Sequence, residues 1–206
     1  MTSLREQKKA ETRDSLAREA ARLVFFDGLS AATISAIAEK AHVSPRTFHN
    51  YFPSVEAALD HFTTAQTQRY SAVAIEKIRG GMSILDAVEY VVLEQPQLSE
   101  DPVDSYQAAV TVSVQIASAH SFCALTEDNM MVQALEAALP GFKATAEDAT
   151  MLGIIAYTIA MAVHGLNSKY RGQDMVDALR DEYTRIFSTL RKGANAMPQL
   201  SQPLNI

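Results

Sequence analysis

The sequence predicts an all-α fold, and three observations favour it. Apolar residues recur at the helical period of about 3.6 residues along most of the chain. No segment alternates apolar and polar residues for long enough to favour a strand. Helix breakers are few, with eight Gly and seven Pro among 206 residues. We therefore expect an N-terminal three-helix helix-turn-helix unit followed by a C-terminal helical bundle.

Local start and stop signals divide the amino-terminal part into four helices. Gly28 is typical of a residue that ends a helix, as is Gly80. Thr33, Ser44 and Ser54 are typical N-cap residues. The four helices are predicted near Glu6 to Phe26, Thr33 to Ala41, Pro45 to Tyr51 and Ser54 to Arg79.

The remaining helices follow from the same apolar spacing. They are predicted near Ile84 to Leu93, Val103 to Leu125, Met130 to Leu139, Ala146 to Leu166 and Asp174 to Lys192. Two stretches in this part, Ser105 to Thr126 and Ala149 to Ser168, carry no formal charge but many hydrogen-bonding side chains. Such polarity favours helices covered by protein over membrane spans.

Charge and cysteine content limit the classes of protein. The formal net charge is -6, which argues against indiscriminate binding to nucleic acid or to an anionic membrane. Residues 1–62 contain as many cationic as anionic side chains, so the negative charge lies in the rest of the chain. A single cysteine, Cys123, and the charged first 30 residues predict a cytoplasmic protein.

The third helix has two chemically different faces. Phe48 and Phe52 are four residues apart and are predicted to point inward, onto Leu23, Ile37 and Val43. The outward face carries three polar residues, Arg46, His49 and Asn50. Arg can bind guanine and Asn can bind adenine through paired hydrogen bonds in the major groove, and Pro45 and Thr47 can touch thymine methyls.

These residues carry a family resemblance. The stretch from Arg13 to Leu59 resembles the DNA-binding domain of TetR-family transcriptional regulators, above all in the run from Thr47 to Ser54 with Glu56 and Leu59. The resemblance implies a bacterial repressor that binds a palindromic operator as a homodimer and is released by a small, partly apolar effector. No cofactor, metal site or membrane partner is expected. Residues 1–53 are predicted as the DNA-binding domain, 54–193 as the ligand-binding and dimerisation domain with 54–79 as a connecting helix, and 194–206 as a flexible tail.

The resemblance also implies which residues contact DNA. The predicted base contacts are Ser35, Pro45, Arg46, Thr47, His49 and Asn50. The predicted phosphate contacts are Lys8, Lys9, Arg13, Thr33 and Tyr51. Three departures from the family's common pattern matter: His42 stands where Gly is usual, His49 where many members have Tyr, and Val55 where Lys is usual. We expect His42 to bear a positive φ at a cost of about 1 kcal/mol, and Val55 to provide no phosphate contact.

The last two predicted helices have apolar residues at intervals of three and four, a pattern that predicts packing against another helix. The partner is either the neighbouring helix of the same chain or a second copy, and the resemblance implies a dimer. The candidate interface residues are Leu152, Ile159, Val163, Leu179, Tyr183, Ile186 and Leu190.

A polar stripe follows one side of the helix predicted from Val103 to Leu125, and includes Gln107 and Ser118. It faces water or lines an effector cavity. The candidate effector contacts are Thr111, Gln115, His120, Tyr157 and Met161.

Two other classes of protein compete with a regulator: a helical-bundle enzyme, and a small-molecule carrier that does not bind DNA. Glu39 and His42 form the one Glu-x-x-His pair, which straddles a turn, whereas a di-iron carboxylate site needs two such pairs on facing helices. No nucleotide-binding or hydrolase motif is present. Cys123 is a candidate nucleophile only beside a His such as His120, and a buried inert thiol is the simpler interpretation. We therefore predict no catalytic residue.

Overall fold

The computed structural model describes residues 3–94, 101–120, 130–139, 141, 143–166 and 169–193. Over these residues it contains α-helices joined by short turns, and no strand. The predicted all-α fold is confirmed. In chain order the helices are α1 (Leu4–Asp27), α2 (Ile34–Lys40), α3 (Pro45–Tyr51), α4 (Val55–Arg79), α5 (Ile84–Glu89), α6 (Tyr106–His120), α7 (Met130–Ala138), α8 (Ala146–Leu166) and α9 (Gly172–Gly193).

The predicted caps of α2, α3 and α4 are confirmed. The hydroxyl oxygens of Thr33, Ser44 and Ser54 each accept a hydrogen bond from the backbone N–H three residues later, at 3.0 to 3.2 Å. These bonds satisfy N–H groups that the first turn of a helix leaves without a partner. The starts of these three helices are therefore set by residues next to them in the chain.

The start of α6 was predicted three residues too early. Asp101 caps a short 3-10 turn over Pro102–Asp104, and its side chain accepts a hydrogen bond from the N–H of Val103. Ser105 then adopts an extended backbone, so that α6 begins at Tyr106. Residues 121–125, the predicted end of this helix, and the predicted tail 194–206 lie outside the described residues, as does Cys123.

Two large apolar clusters make up the core. The amino-terminal cluster joins the four helices α1, α2, α3 and α4. It also includes Val103, in the turn before α6, and Val112, on α6. The carboxy-terminal cluster joins α4 and α5 to the bundle of α6 to α9. The amino-terminal helices thus share buried contacts with α6. In the part of the chain that the structure describes, no helix is long and apolar enough to cross a membrane.

Candidate nucleic-acid interface

A tight turn sets the angle between α2 and α3. The N–H of Val43 donates to the carbonyl of Ala38 at 2.9 Å, and the N–H of His42 donates to that of Glu39 at 3.1 Å. This pattern ends a helix with one residue in the left-handed conformation. That residue is His42, whose φ is 55° and which is the one non-glycine residue with a positive φ among those described. The predicted backbone conformation of His42 is confirmed.

The inner face of α3 is fixed by aromatic packing. Phe48 and Phe52 are 0% and 1% exposed, and their ring centroids lie 5.9 Å apart. They belong to the amino-terminal cluster with Leu23 and Ile37, and Val43 packs against it. The guanidinium of Arg13 on α1 lies over the Phe52 ring at 5.1 Å. The predicted inward face is confirmed, and it leaves α3 little freedom to rotate about its axis.

The outer face of α3 consists of exposed polar side chains. Arg46, His49 and Asn50 are all exposed, as is Pro45 at the first position of the helix. Thr47 is half-buried, and its hydroxyl lies 2.8 Å from the hydroxyl of Ser44. The predicted exposure of the trio is therefore confirmed. Its contacts with DNA remain predictions.

The other predicted DNA contacts surround α3 along the chain. Lys8, Lys9 and Arg13 are exposed on α1. Ser35 is exposed in the first turn of α2, and Thr33 is exposed as its N-cap. Tyr51 is half-buried and packs against the amino-terminal cluster, as does Val55, where a phosphate-binding Lys is usual in the family that the sequence resembles. None of the predicted DNA contacts in this group is buried, and their contacts with DNA remain predictions.

Comparison with known proteins finds a family match over part of these helices. Residues 17–60 match the family described as bacterial regulatory proteins, tetR family. Over these residues the chain is similar to the DNA-binding part of that family. The chain is 45% identical over 53 residues to the HTH-type transcriptional regulator TcmR of Streptomyces glaucescens. This match covers 26% of the chain and 24% of that relative, about a quarter of its length.

Two solved structures align with most of the chain. One is a TetR-family transcriptional repressor, FadR of Thermus thermophilus in complex with lauroyl-CoA, at 20% identity and a TM-score of 0.34 over 85% of this chain and 93% of that one. The other is the fatty acid degradation regulator FadR of Bacillus halodurans, at 15% identity and a TM-score of 0.38 over 87% and 96%. The match to the family model is confined to residues 17–60.

The predicted effector contacts on α6 are buried. The amide nitrogen of Gln107 donates to the carbonyl of Val92 at 2.9 Å. Gln115 accepts from the N–H of Leu29 at 2.9 Å and donates to the carbonyl of Val24 at 3.4 Å. Thr111 is 1% exposed, and its hydroxyl has no partner in the described structure. The alternative that these three residues face water is therefore wrong. Gln115 already bonds the backbone where α1 ends, and its role as an effector contact remains a prediction.

Three predicted effector contacts lie further along the bundle. Met161 is on α8 and is 40% exposed, so it lies outside the interior of this chain, where an effector contact was expected. His120 and Tyr157 lie on α6 and α8, but their side chains are outside the described set. Within the described residues no group of three or more His, Cys, Asp or Glu side chains is placed to hold a metal ion.

The predicted dimer residues are mostly inside the chain. Of the seven, five are at most 9% exposed and belong to the carboxy-terminal cluster: Ile159, Val163, Leu179, Tyr183 and Ile186. Leu190 packs against the same cluster, and the side chain of Leu152 is outside the described set. The five buried residues join α8 to α9 of the same chain, so the intrachain alternative accounts for the spacing. They are not available to a second copy.

One polar group was not singled out from the sequence. Arg18 on α1 pairs with Asp101 and Asp104, and Arg22 on α1 pairs with Asp101. Both aspartates flank the turn that precedes α6. Burial raises the pKa of Asp101, but hydrogen bonds from Arg22, from the N–H of Val103 and from Arg18 outweigh it and lower the pKa to about 2. The available signal was weak: two arginines four apart on one helix, and two aspartates around a proline some eighty residues later.

Proposed function

We propose that the protein is a transcriptional regulator that binds double-stranded operator DNA, and specifically a repressor that a small, partly apolar effector releases. The observation that carries the proposal is the exposed trio Arg46, His49 and Asn50 on α3. The opposite face of that helix is held by Phe48 and Phe52. A short helix fixed on one side, with Arg and Asn on the other, suits the edges of bases in the major groove.

Charge supports the same surface. The stretch from Lys40 to Val55 contains cationic residues and no carboxylate, so α3 meets phosphates without local repulsion. Arg46 is proposed to read guanine and Asn50 adenine, because each can form two hydrogen bonds with that base. Lys8, Lys9 and Arg13 on α1 are proposed to bind phosphates, which position the domain without reading sequence.

A palindromic operator requires two α3 helices related by a two-fold axis, about 34 Å or one helical turn of DNA apart. We therefore propose a homodimer. Because the predicted interface residues of α8 and α9 are mostly buried, its apolar contact has to come from another face. The outward side of α8 carries Ile154 at 47% exposure and Met161 at 40%, seven residues apart and so on one face of the helix. These two side chains are the proposed centre of the interface.

The effector is proposed to bind between α4 and α6 and to change the separation of the two α3 helices. Three residues separate the end of α3 from the start of α4, and α4 packs against α6. A ligand that binds one conformation more tightly shifts the population toward it, and operator DNA must then weaken ligand binding by the same factor. The buried, unpartnered hydroxyl of Thr111 is the proposed polar contact on α6.

Selection from a pool of randomised DNA duplexes tests the DNA-binding function. We expect the full chain to enrich a palindromic site, with an affinity that falls steeply as salt increases. Arg46→Ala should lose about 1 to 3 kcal/mol of discrimination at one base pair in each half-site. Lys143→Ala, which removes an 82% exposed cation in the bundle, is the control and should retain the parent's base preference. Failure to enrich any duplex would refute the proposal.

Sedimentation of a double variant tests the interface. Ile154→Glu with Met161→Glu places carboxylates on the outward face of α8 and should yield folded monomers with weak operator binding, because buried unpaired charge is costly. Gln68→Glu adds a charge at an exposed position of α4 and should leave the dimer intact. A double variant that remains dimeric would place the interface elsewhere.

A further inference from the structure

The carboxylate of Asp104 joins three helices at one buried point. Its side chain is 3% exposed. Both of its oxygens accept from the guanidinium of Arg18 on α1, at 2.5 and 2.6 Å. The amide nitrogen of Gln66 on α4 donates to it at 3.3 Å, and the hydroxyl of Tyr70 on α4 donates to the backbone carbonyl of Asp104. Asp104 precedes α6 by two residues, so α1, α4 and α6 meet there.

The contact extends along α1 in a regular order. Arg18 pairs with both Asp101 and Asp104. Seven residues further along α1, Phe25 packs with Ala108 of α6 and Val176 of α9. At the end of α1, Gln115 of α6 bonds the carbonyl of Val24 and the N–H of Leu29. The α6 helix and the turn before it therefore hold α1 at its middle and at its end.

These contacts of Asp104 with α1 and α4, called the joint below, restrict how α1 can move relative to α6. A guanidinium that meets a carboxylate through two parallel hydrogen bonds fixes direction as well as distance. A buried charge left without its partner is strongly unfavourable, so arrangements in which the pair stays closed are favoured. Two neighbours reinforce the arrangement: Arg69 lies 3.9 Å from Asp104, and Arg22 bonds Asp101 at 3.1 Å.

We propose that Asp104 is a positioning residue that fixes the orientation of the DNA-binding helices relative to the bundle. Movement of α6 then displaces those helices through α1 as well as through α4. The inference rests on the proposed function for its biological consequence. The geometric claim, that loss of the Arg18 to Asp104 pair loosens the joint, can be measured without DNA.

The test measures a distance across the joint in the full chain. Spin labels are placed at Glu39→Cys on α2 and Ser188→Cys on α9, both exposed positions, in a chain whose Cys123 is replaced by Ser. Excess unlabelled chain keeps each assembly to one labelled copy. Asp104→Asn and Arg18→Gln are compared with the parent, and Asp181→Asn, an exposed carboxylate on α9, is the matched control.

We expect a narrow distance distribution in the parent and in Asp181→Asn, and a shifted, broader one in Asp104→Asn and Arg18→Gln at unchanged helix content. Unchanged distributions in the folded variants would overturn the proposal. Arg18→Gln leaves the buried Asp104 carboxylate without its main partner, so the double variant Asp104→Asn with Arg18→Gln, which removes both charges, decides the matter if a single variant does not fold. Arg18→Lys keeps the charge but not the two-pronged geometry, and should give an intermediate width; a width equal to the parent's would assign the effect to charge alone and overturn the geometric claim.

A second readout concerns DNA and separates the two proposals. With the selected operator, the parent should bind best at one spacing between half-sites. Asp104→Asn should tolerate insertions and deletions of a base pair that the parent rejects, because a looser joint lets the α3 helices reach more separations. If no operator is found, the proposed function fails while the spin-label distances still decide the joint. If an operator is found and the spacing preference is unchanged, the joint does not position the domain on DNA.

Discussion

Phe48→Ala is expected to destabilise the amino-terminal domain by about 3 to 5 kcal/mol. Burying a phenylalanine side chain stabilises by about 1.5 to 3 kcal/mol relative to leaving it in water, and Phe48 is 0% exposed. Its ring also meets those of Phe52 and His49, each at 5.9 Å between centroids, and such pairs add about 0.5 to 1.5 kcal/mol. The rest is the cavity, which the well-packed cluster around Phe48 cannot close fully.

Urea denaturation followed by circular dichroism measures this change. Asn50→Ala, two residues further along the same helix, is the matched control and should stay within about 0.5 kcal/mol of the parent, because its side chain is exposed. A loss below about 1 kcal/mol in Phe48→Ala would contradict the core position assigned to it from its burial. Loss of stability in Asn50→Ala with none in Phe48→Ala would mean that the two faces of α3 are reversed.

Three further predictions concern single positions. His42→Gly should be as stable as the parent or more stable by up to about 1 kcal/mol, because Gly adopts a positive φ without strain; His42→Val should be less stable, and the opposite order in urea denaturation would refute a left-handed His42. Ser44→Ala should cost about 1 kcal/mol of unfolding free energy through loss of the N-cap of α3, whereas Ser44→Asp should retain most of it; equal losses would assign the effect to something other than the cap. Asp101 has its pKa lowered from 3.8 to about 2 in the folded chain, so its contribution to stability is present above the higher value and is lost as the pH falls through this range. The difference in unfolding midpoint between the parent and Asp101→Asn should therefore shrink toward pH 2, and a constant difference would contradict the pairing with Arg18 and Arg22.

The amino-terminal helices were predictable because their signals are local. A capping hydroxyl lies three residues from the N–H that it satisfies, as Ser44 does from Thr47, so a short stretch of sequence holds both partners. The left-handed His42 was predictable from the family resemblance, because His42 stands where Gly is usual and Gly favours a positive φ. The family resemblance added what local physics does not supply, the expectation that the exposed face of α3 meets DNA.

The joint at Asp104 was not predictable, because its partners are far apart in the chain. Arg18 and Asp104 are separated by 86 positions, and nothing near either residue indicates the other. A charged residue in a sequence is usually a solvated surface residue. The sequence therefore did not predict that Asp104 is buried or that Arg18 pairs with it. Their pairing depends on how α1 is placed against α6, and this placement comes from the apolar contacts of Phe25 and Val112 with their clusters.

The spacing of α9 shows a different limit. Leu179, Tyr183 and Ile186 were read correctly as one apolar face, but an apolar stripe at intervals of three and four fits any helix with a similar stripe. Here that helix is α8 of the same chain, through Ile159 and Val163. The pattern therefore indicates that another helix packs against this face. It does not indicate whether that helix belongs to the same chain or to a second copy.

The exposed faces of α8 and α9 determine which side chains a second copy of the chain would contact. On α9 they are polar and charged, and include Arg180, Asp181 and Thr184. On α8 they include the large apolar side chains Ile154 and Met161. Charged side chains are depleted and apolar ones enriched at the buried centre of an interface. The proposed two-fold contact is therefore centred on α8, and the charged residues of α9 would lie at its rim, where such groups affect the orientation of two copies more than their affinity.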